Sequence, residues 1–184
     1  APWIEARHGG DIRFGSGFFV HTFEKLAPAK EYFASHPEYY ALVDGKRVPD
    51  QLCCTNEEVI RVCAEAIRNG IRQQPDATVF SCSQNDNGNY CRCEQCQALA
   101  KAQQSQMAPV LHLVNRVAES VAEQFPGKII ETLAYTWTRK APNSMRPRPN
   151  VVIRLCDIEC CFSHPLASGC SPGNDAFVAD LKRW

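Results

Sequence analysis

Three cysteines stand close together in the segment SQNDNGNYCRCEQC, residues 83–96. Cys91, Cys93 and Cys96 form the pattern Cys-x-Cys-x-x-Cys, and closely spaced thiolates can chelate zinc. A structural zinc site needs four ligands, so one more residue would have to join them. The candidates for the fourth ligand are Cys53, Cys54 and Cys170. Because the paired Cys-x-x-Cys units of the strongest zinc motifs are absent, a structural zinc, disulfides and free thiols all remain open.

Each of these interpretations makes the cysteine cluster a staple for the loop that precedes it. No histidine-rich or His/Glu pair lies close by in the sequence, which disfavours a catalytic zinc. We therefore expect no cofactor for catalysis and at most a structural zinc ion. The chain has 11 cysteines, an odd number, so at least one thiol stays unpaired if the others form disulfides within the chain.

The polar run directly before these cysteines offers a different chemistry. Asp86 follows one strand-like segment, and Asp157 and Glu159 follow another. Glycosidic hydrolysis commonly uses two carboxyl groups, one as general acid and one as base or nucleophile. Asp86 paired with Asp157 or Glu159 could supply them, and we take these three as the candidate catalytic residues. The alternative is a structural role, because Asn-Asp-Asn-Gly is also an ordinary turn sequence.

Amide, aromatic and basic side chains at the ends of the strand-like segments would hold a sugar. Aromatic rings stack on sugar C–H surfaces, amides bind hydroxyls, and an arginine can bind a carboxylate through two hydrogen bonds. The candidate substrate-binding residues are His21, Asn85, Asn87, Tyr135, Trp137 and Arg139. A lone histidine near a strand end is more often structural than functional, an alternative that holds for both His21 and His164.

Helices are predicted between these polar segments. Thr55 and Glu58 stand three residues apart and predict a capping box, and apolar residues at helical spacing follow them. A second long helix is predicted over residues 109–125, with a Pro-Gly pair as its stop. A last helix is predicted near the end of the sequence, with Asn174 as its N-cap.

The strand-like segments GSGFFVHTF, ATVFSCS, KIIETLAYTW and VVIRLCDI alternate with these helices, and Asp44-Gly45 marks a small hairpin. Apolar strands between helices predict an α/β fold of parallel β/α repeats, whose ligands bind at the carboxyl ends of the strands. A closed (β/α)8 TIM-type barrel needs about 250 residues. Residues 1–184 are therefore expected to form a single domain that is part of such a barrel. An open doubly wound sheet fits the length, but no glycine-rich phosphate loop follows a strand.

Composition limits the partners. The chain has 20 basic and 20 acidic residues and no block of like charge, so nucleic acid is not an expected partner. No apolar run reaches the roughly 20 residues of a membrane span. The opening APWIEARHGG has neither an initiator Met nor a signal-peptide pattern, so the sequence is expected to be a fragment of a longer chain. The sequence gives no signal for an oligomeric state.

Several motifs resemble those of a bacterial family called domain of unknown function 4838 (DUF4838). In chain order they are HPEYYALVDGKR, QLCCTNEEV, SQNDNGNYCRCEQC, LAYTWTRKAP, RPNVVIRLCDIECCFSHPL and FVADLKRW. The resemblance covers the chain from about His21 to Trp184. It implies a β/α barrel similar to glycoside hydrolases, distantly to α-glucuronidases and β-hexosaminidases, in an exported protein of the periplasm or cell exterior. Members of the family usually extend beyond both ends of this sequence.

The resemblance also bears on single residues. Asn85 and Asp86 match the strand-end Asn-Asp motif of the family, and a carboxylic acid at a comparable position resembles the general acid of α-glucuronidases. Asp157 and Glu159 match the other acidic strand end. Cys54 stands where a threonine-like residue is expected, which makes it a poor metal ligand. Together these features predict a carbohydrate-active protein, a glycoside hydrolase that uses two carboxylates. The alternatives are a non-catalytic glycan-binding barrel and a cysteine/zinc-stapled interaction module.

Overall fold

The computed structural model describes residues 12–184, and residues 1–11 lie outside the described range. It shows a mixed α/β fold with six α-helices and five strands in this described part. The helices are α1 (Phe23–Leu26), α2 (Ala29–Tyr32), α3 (Glu57–Gln73), α4 (Glu94–Gln103), α5 (Met107–Gln124) and α6 (Pro172–Arg183). The strands are β1 (Tyr40–Val43), β2 (Lys46–Leu52), β3 (Val79–Ser81), β4 (Ile129–Ala134) and β5 (Val151–Leu155).

Strands β1 and β2 form the small hairpin that the sequence predicts. They pair antiparallel, and Val43 lies opposite Lys46, so the turn between them has two residues. Asp44 and Gly45 have φ angles of 47° and 79°. Two positive φ values are what a type I′ turn requires, and Asp-Gly is a preferred sequence for it. The local sequence therefore sets the register of this hairpin.

Strands β3, β4 and β5 form a parallel sheet in that order. The predicted strand in GSGFFVHTF is wrong, because no strand forms within it, and Phe14 directly before it makes a single parallel bridge to Val79. The following residues turn instead: the Phe18 amide donates to the Gly15 carbonyl at 2.8 Å, and Gly17 has a φ of 74°. This turn lets the Phe18 ring pack edge-to-face on Phe80 in the core.

Helices α3 and α5 cover one face of the sheet. The apolar stripes predicted for both are buried, including Ile67 of α3 and Val114 of α5, and they form one core with Phe80 and Ile130. Helix α4 was not predicted, because its sequence EQCQALAKAQ has a single large apolar residue, Leu99, and so no apolar stripe. It begins directly after Cys93. Two of the predicted helices are thus specified by their own periodicity, whereas α4 depends on its surroundings.

Two predicted helix caps are wrong. Asn56, and not Thr55, caps α3, because its side-chain oxygen accepts hydrogen bonds from the main-chain amides of residues 58 and 59 at 2.9 and 3.1 Å. Ser171, and not Asn174, caps α6. Asn174 lies in the first turn of α6 and is completely buried. The two displaced residues contact cysteines instead.

The other face of the sheet carries the side chains that alternate with the core residues. It lines a groove of about 450 Å³ that includes Val79, Glu131, Val152 and Arg154. The described residues contain three parallel strands and no closed barrel. The α/β class with a parallel sheet is therefore confirmed, and closure into a barrel stays a prediction. Within residues 12–184, no helix is both long and apolar enough to cross a membrane.

Candidate functional site

Four cysteines converge between the hairpin and α4. Cys53 follows β2, Cys91 and Cys93 lie in the loop before α4, and Cys96 lies in the first turn of α4. Their four sulfur atoms all lie within 4.8 Å of one another, and those of Cys53 and Cys93 are 3.6 Å apart. Tetrahedral zinc with Zn–S bonds of about 2.3 Å separates its sulfurs by roughly 3.8 Å. The structure thus brings the three predicted cysteines together and adds Cys53, and this four-cysteine centre could bind a metal ion.

The hairpin places Cys53 in the four-cysteine centre. The cysteine loop lies along β1, where the Arg92 amide donates to the Leu42 carbonyl at 2.8 Å. Cys53 is fixed in turn, because its amide donates to the Tyr39 carbonyl at 2.8 Å. Cys54 points the other way into the main core, where its thiol contacts the Leu52 carbonyl. Adjacent cysteines therefore have different roles, which the sequence alone leaves open.

Polar groups surround the sulfurs of the four-cysteine centre. The Leu42 amide donates to the Cys91 sulfur at 3.3 Å, and the Thr55 hydroxyl lies 3.2 Å from the Cys96 sulfur. The Arg47 guanidinium lies 3.9 Å from the Cys91 sulfur. N–H and O–H groups directed at sulfur stabilise thiolates and orient metal ligands. The environment of the centre is therefore suited to thiolate ligands.

The thiols also hydrogen-bond to one another. Hydrogen bonds from Cys91 and Cys96 lower the pKa of Cys53. The same hydrogen bonds raise the pKa of the two thiols that donate them. The bond with Cys53 raises the pKa of Cys91 to about 11, and it also raises the pKa of Cys96. The metal-free centre therefore favours one thiolate held by neighbouring thiols. A metal ion that binds all four sulfurs must displace the remaining thiol protons.

A second polar group lies at the carboxyl edge of the sheet. Asp86 is exposed after β3, and a hydrogen bond between its carboxylate and the Tyr135 hydroxyl raises the pKa of Tyr135. The His21 ring lies edge-to-face against the Tyr135 ring, with centroids 5.8 Å apart. His21 Nδ1 donates to the Gln84 carbonyl at 2.8 Å, so Nε2 carries the lone pair when the ring is neutral. We call Asp86, Tyr135 and His21 the strand-end group.

Backbone strain accompanies the strand-end group. His21 and Thr136 have φ angles of 52° and 50°, in the left-handed region that non-glycine residues rarely adopt. Such residues cost about 1–3 kcal/mol each and cluster at functional sites. Hydrogen bonds hold both in place: the Thr22 amide donates to the Ser83 carbonyl at 3.0 Å, and the Tyr135 amide donates to the Thr138 hydroxyl at 3.0 Å.

One family model covers almost the whole chain. The model of the family described as "Domain of unknown function (DUF4838)" matches residues 4–184. The chain belongs to this family. No curated protein and no solved structure matches it. The family description assigns no activity, so the function of this DUF4838 chain has to be argued from its own residues.

Asn85 and Asn87 hold the Asp86 loop of the DUF4838 chain onto β2. The Asn85 side-chain amide donates to the Asp50 carbonyl at 2.8 Å. The buried Gln51 side chain donates to the carbonyl oxygens of Asn85 and Asn87 at 2.7 and 3.1 Å. The two predicted substrate ligands on either side of Asp86 are therefore engaged within the protein, and Asp86 between them is exposed.

Trp137 and Arg139 are also engaged in internal contacts. The Trp137 indole N–H donates to the Asn87 carbonyl at 3.0 Å, and its ring packs on Tyr90. Arg139 forms ion pairs with Glu159 and with Asp180 of α6, the latter at 2.7 Å. Both predicted substrate-binding residues thus hold the strand-end loops together in this structure.

The two remaining candidate carboxylates lie in the loop after β5, and both are exposed. The Asp157 carbonyl accepts a hydrogen bond from the Cys160 amide at 2.9 Å. The charge of Glu159 contributes to the raised pKa of Tyr135, after the larger effect of Asp86. The effect of Glu159 is smaller than those of Asp86, of burial and of Cys156.

Sequence reasoning missed Glu131. This residue lies in the middle of β4, is 2% exposed, and its Oε1 lies 2.9 Å from Nε of Arg154 on β5. Burial raises the pKa of Glu131, although Ser81 and Arg154 oppose the shift. The signal for it was present, because KIIETLA is an apolar strand interrupted by one acidic residue. A lone carboxylate in such a strand indicates a buried charge with a partner.

Proposed function

We propose that this DUF4838 chain is part of a carbohydrate-active β/α barrel and acts as a bacterial glycoside hydrolase. The observation that carries the proposal is the strand-end group, in which Asp86 contacts Tyr135 beside His21 at the carboxyl edge of a parallel sheet. Ligands of parallel α/β folds bind at this edge. Asn85 and Asn87 are bound to β2, whereas Asp86 between them is exposed, so its carboxylate is accessible to a substrate.

Two carboxylates are assigned to the reaction in this proposal. Asp86 acts as general acid and protonates the oxygen of the leaving sugar. Glu159 acts as base or nucleophile, with Asp157 as the alternative residue on the same loop. The base or nucleophile must be ionised, and Glu159 is ion-paired with Arg139. The hydrogen bond with Asp86 raises the pKa of Tyr135, so Tyr135 would keep its proton beside the acid.

A structural zinc ion in the four-cysteine centre is part of the proposal. Four cysteine ligands in a tetrahedral arrangement are typical of structural zinc, and three of the four residues are buried. Cys53, Cys91, Cys93 and Cys96 would hold the ion. The ion would bind the cysteine end of the loop to the end of β2. The start of the loop is already held on β2 by the hydrogen bond of Asn85, so both ends of the loop would be fixed. The proposed hydrolysis requires no cofactor.

The arrangement of the sheet supports the barrel. Strands β3, β4 and β5 are neighbours in chain order, as consecutive strands of a β/α barrel are. Helices cover one face of the sheet, and the opposite face carries the groove lined by Val152 and Arg154. In a closed barrel this face would be the interior. Export of the full-length protein to the periplasm or cell exterior belongs to the same proposal.

The test is sugar release by the full-length protein from a panel of glycans that contain uronic acids and amino sugars. Asp86→Asn is expected to abolish release and to retain glycan binding, because the amide cannot act as the acid. Asp76→Asn is the matched control: Asp76 is exposed at the opposite, amino-terminal end of β3, and its replacement should leave release unchanged.

Other outcomes separate the alternatives. If the wild type binds glycans and releases no sugar, the protein is a non-catalytic glycan-binding barrel and not a hydrolase. Stoichiometric zinc with no glycan affinity would favour the interaction module. Unchanged release by Asp86→Asn would show that Asp86 is a loop residue without a role in the reaction.

A further inference from the structure

We propose a second metal centre, formed by Cys161, His164 and Cys170 in the loop between β5 and α6. The two sulfur atoms and an imidazole nitrogen all lie within 4.8 Å of one another. The Cys161 sulfur lies 3.3 Å from Nδ1 of His164. Cysteine sulfur and imidazole nitrogen are the preferred ligands of zinc. We call these three residues the Cys2His centre.

A buried amide organises the Cys2His centre. Asn174 is completely buried, and its side-chain oxygen accepts a hydrogen bond from the Cys161 amide at 2.7 Å. Its side-chain nitrogen donates to the Cys170 sulfur at 3.5 Å. One side chain therefore fixes the position of two ligands, and it directs an N–H group at a sulfur. Such outer contacts are what orient metal ligands in proteins.

The backbone around the Cys2His centre is also constrained. Gly169 has a φ of 65°, and this turn brings Cys170 back toward Cys161. A Cβ atom at Gly173 would collide with the main-chain oxygen of Glu159, so the start of α6 packs directly on the chain before the centre. Ser171, which caps α6, lies between Gly169 and Gly173 in the chain. The loop is thus held at both ends of the centre by specific contacts.

The ligand set leaves one coordination position open. Structural zinc sites are closed by four protein ligands, whereas three protein ligands leave a position for water or another molecule. His164 and Cys170 are exposed, so solvent reaches the centre. Two thiolates and a neutral imidazole balance the charge of Zn²⁺, and the open position therefore accepts water or a small anion. The loop leaves the carboxyl end of β5, the edge of the sheet that also carries the strand-end group.

The first experiment counts zinc in the full-length protein purified with a reductant. The wild type is expected to hold two zinc ions per chain, and His164→Ala and Cys170→Ser are each expected to hold one. Both changes lie at exposed positions and should leave the core intact. Cys53→Ser should lose the other ion and retain that of the Cys2His centre. Cys156→Ser is the matched control, because Cys156 belongs to neither centre, and it should retain both ions.

A second experiment tests the open position. Cobalt(II) replaces zinc in such centres and gives visible absorption bands that depend on its ligands. Azide should shift the spectrum of the cobalt-loaded wild type, and it should not shift that of His164→Ala, in which only the four-cysteine centre binds cobalt. Asn174→Ala should lower the zinc affinity of the Cys2His centre by about 10- to 100-fold and leave the other centre unchanged.

Two results would overturn the proposal. The first is a zinc content of one ion per chain in the reduced wild type and the same zinc content in His164→Ala. The second is a Cys161–Cys170 disulfide, found by mass spectrometry, together with no zinc uptake after its reduction. If azide does not change the spectrum of the cobalt-loaded wild type, the Cys2His centre has no open coordination position.

Discussion

The two cysteine centres differ in burial and in the span of chain that they connect. In the four-cysteine centre three ligands are buried, and Cys53 lies 40 residues before Cys93. In the Cys2His centre two ligands are exposed, and all three lie within one loop. Closing a long loop restricts the unfolded chain more than closing a short one. With zinc bound as proposed, the first centre would stabilise the fold and the second would present a metal ion to solvent.

Each centre also uses a polar residue that would otherwise suit a helix cap. Thr55 lies against the sulfurs of the four-cysteine centre, while its neighbour Asn56 caps α3. Asn174 supports the Cys2His centre, while Ser171 caps α6. In both cases the cap moves to an adjacent or nearby residue that serves equally well. The exchange therefore costs little.

The largest expected effect is on stability. Cys53→Ser should lower the free energy of unfolding by about 4 kcal/mol, the contribution of a ligand present at roughly 1,000 times its dissociation constant. Cys161→Ser should lower it by much less, because that centre spans only one loop. Urea unfolding of the zinc-loaded variants measures both values, with Cys156→Ser as control. If Cys53→Ser and Cys161→Ser lower the free energy of unfolding equally, the two centres do not differ in their contribution to stability.

The second prediction concerns pH. Zinc uptake by the four-cysteine centre requires Cys91, Cys93 and Cys96 to lose protons, and the hydrogen bonds with Cys53 raise the pKa of Cys91 and Cys96. Three released protons lower the zinc affinity by about 1,000-fold for each pH unit of acidification. The Cys2His centre has fewer thiols, and the pKa of Cys170 is lowered by a hydrogen bond with Ser168, so its affinity should fall less steeply.

Competition with a chromophoric chelator between pH 6 and pH 8 measures both slopes. The variants Cys53→Ser and His164→Ala isolate one centre each. The same slope in both variants would contradict the difference in ligand chemistry on which the comparison rests.

The smallest expected effect separates caps from cysteine contacts. Asn56→Ala should destabilise the protein by about 1 kcal/mol, the usual cost of a lost N-cap. Thr55→Val keeps the size of the side chain and removes the hydroxyl next to Cys96. It should change the zinc affinity of the four-cysteine centre and leave the stability of the metal-free protein nearly unchanged. If metal-free Thr55→Val loses as much stability as Asn56→Ala, Thr55 contributes to capping α3 and the predicted capping box is correct.

Local signals in the sequence were sufficient for several elements. The Asp44-Gly45 turn, the apolar stripes of α3 and α5, and the apolar strands β3, β4 and β5 agree with the structure. Each depends on residues a few positions apart, which contact one another or share a face in any fold. The strand predicted in GSGFFVHTF failed because Gly17 permits a turn and Phe18 gains more by packing on Phe80.

Family membership, the α/β class and the chemical types at the strand ends can be read from the sequence. The tertiary structure establishes which residues act together. It selected Cys53 over its neighbour Cys54 as the fourth sulfur, and it paired Glu131 with Arg154 across two strands. The physical reason is that ligand sets and ion pairs depend on distances between side chains far apart in the chain. Those distances are fixed by the packing of the hairpin, the sheet and the helices, and no local pattern contains them.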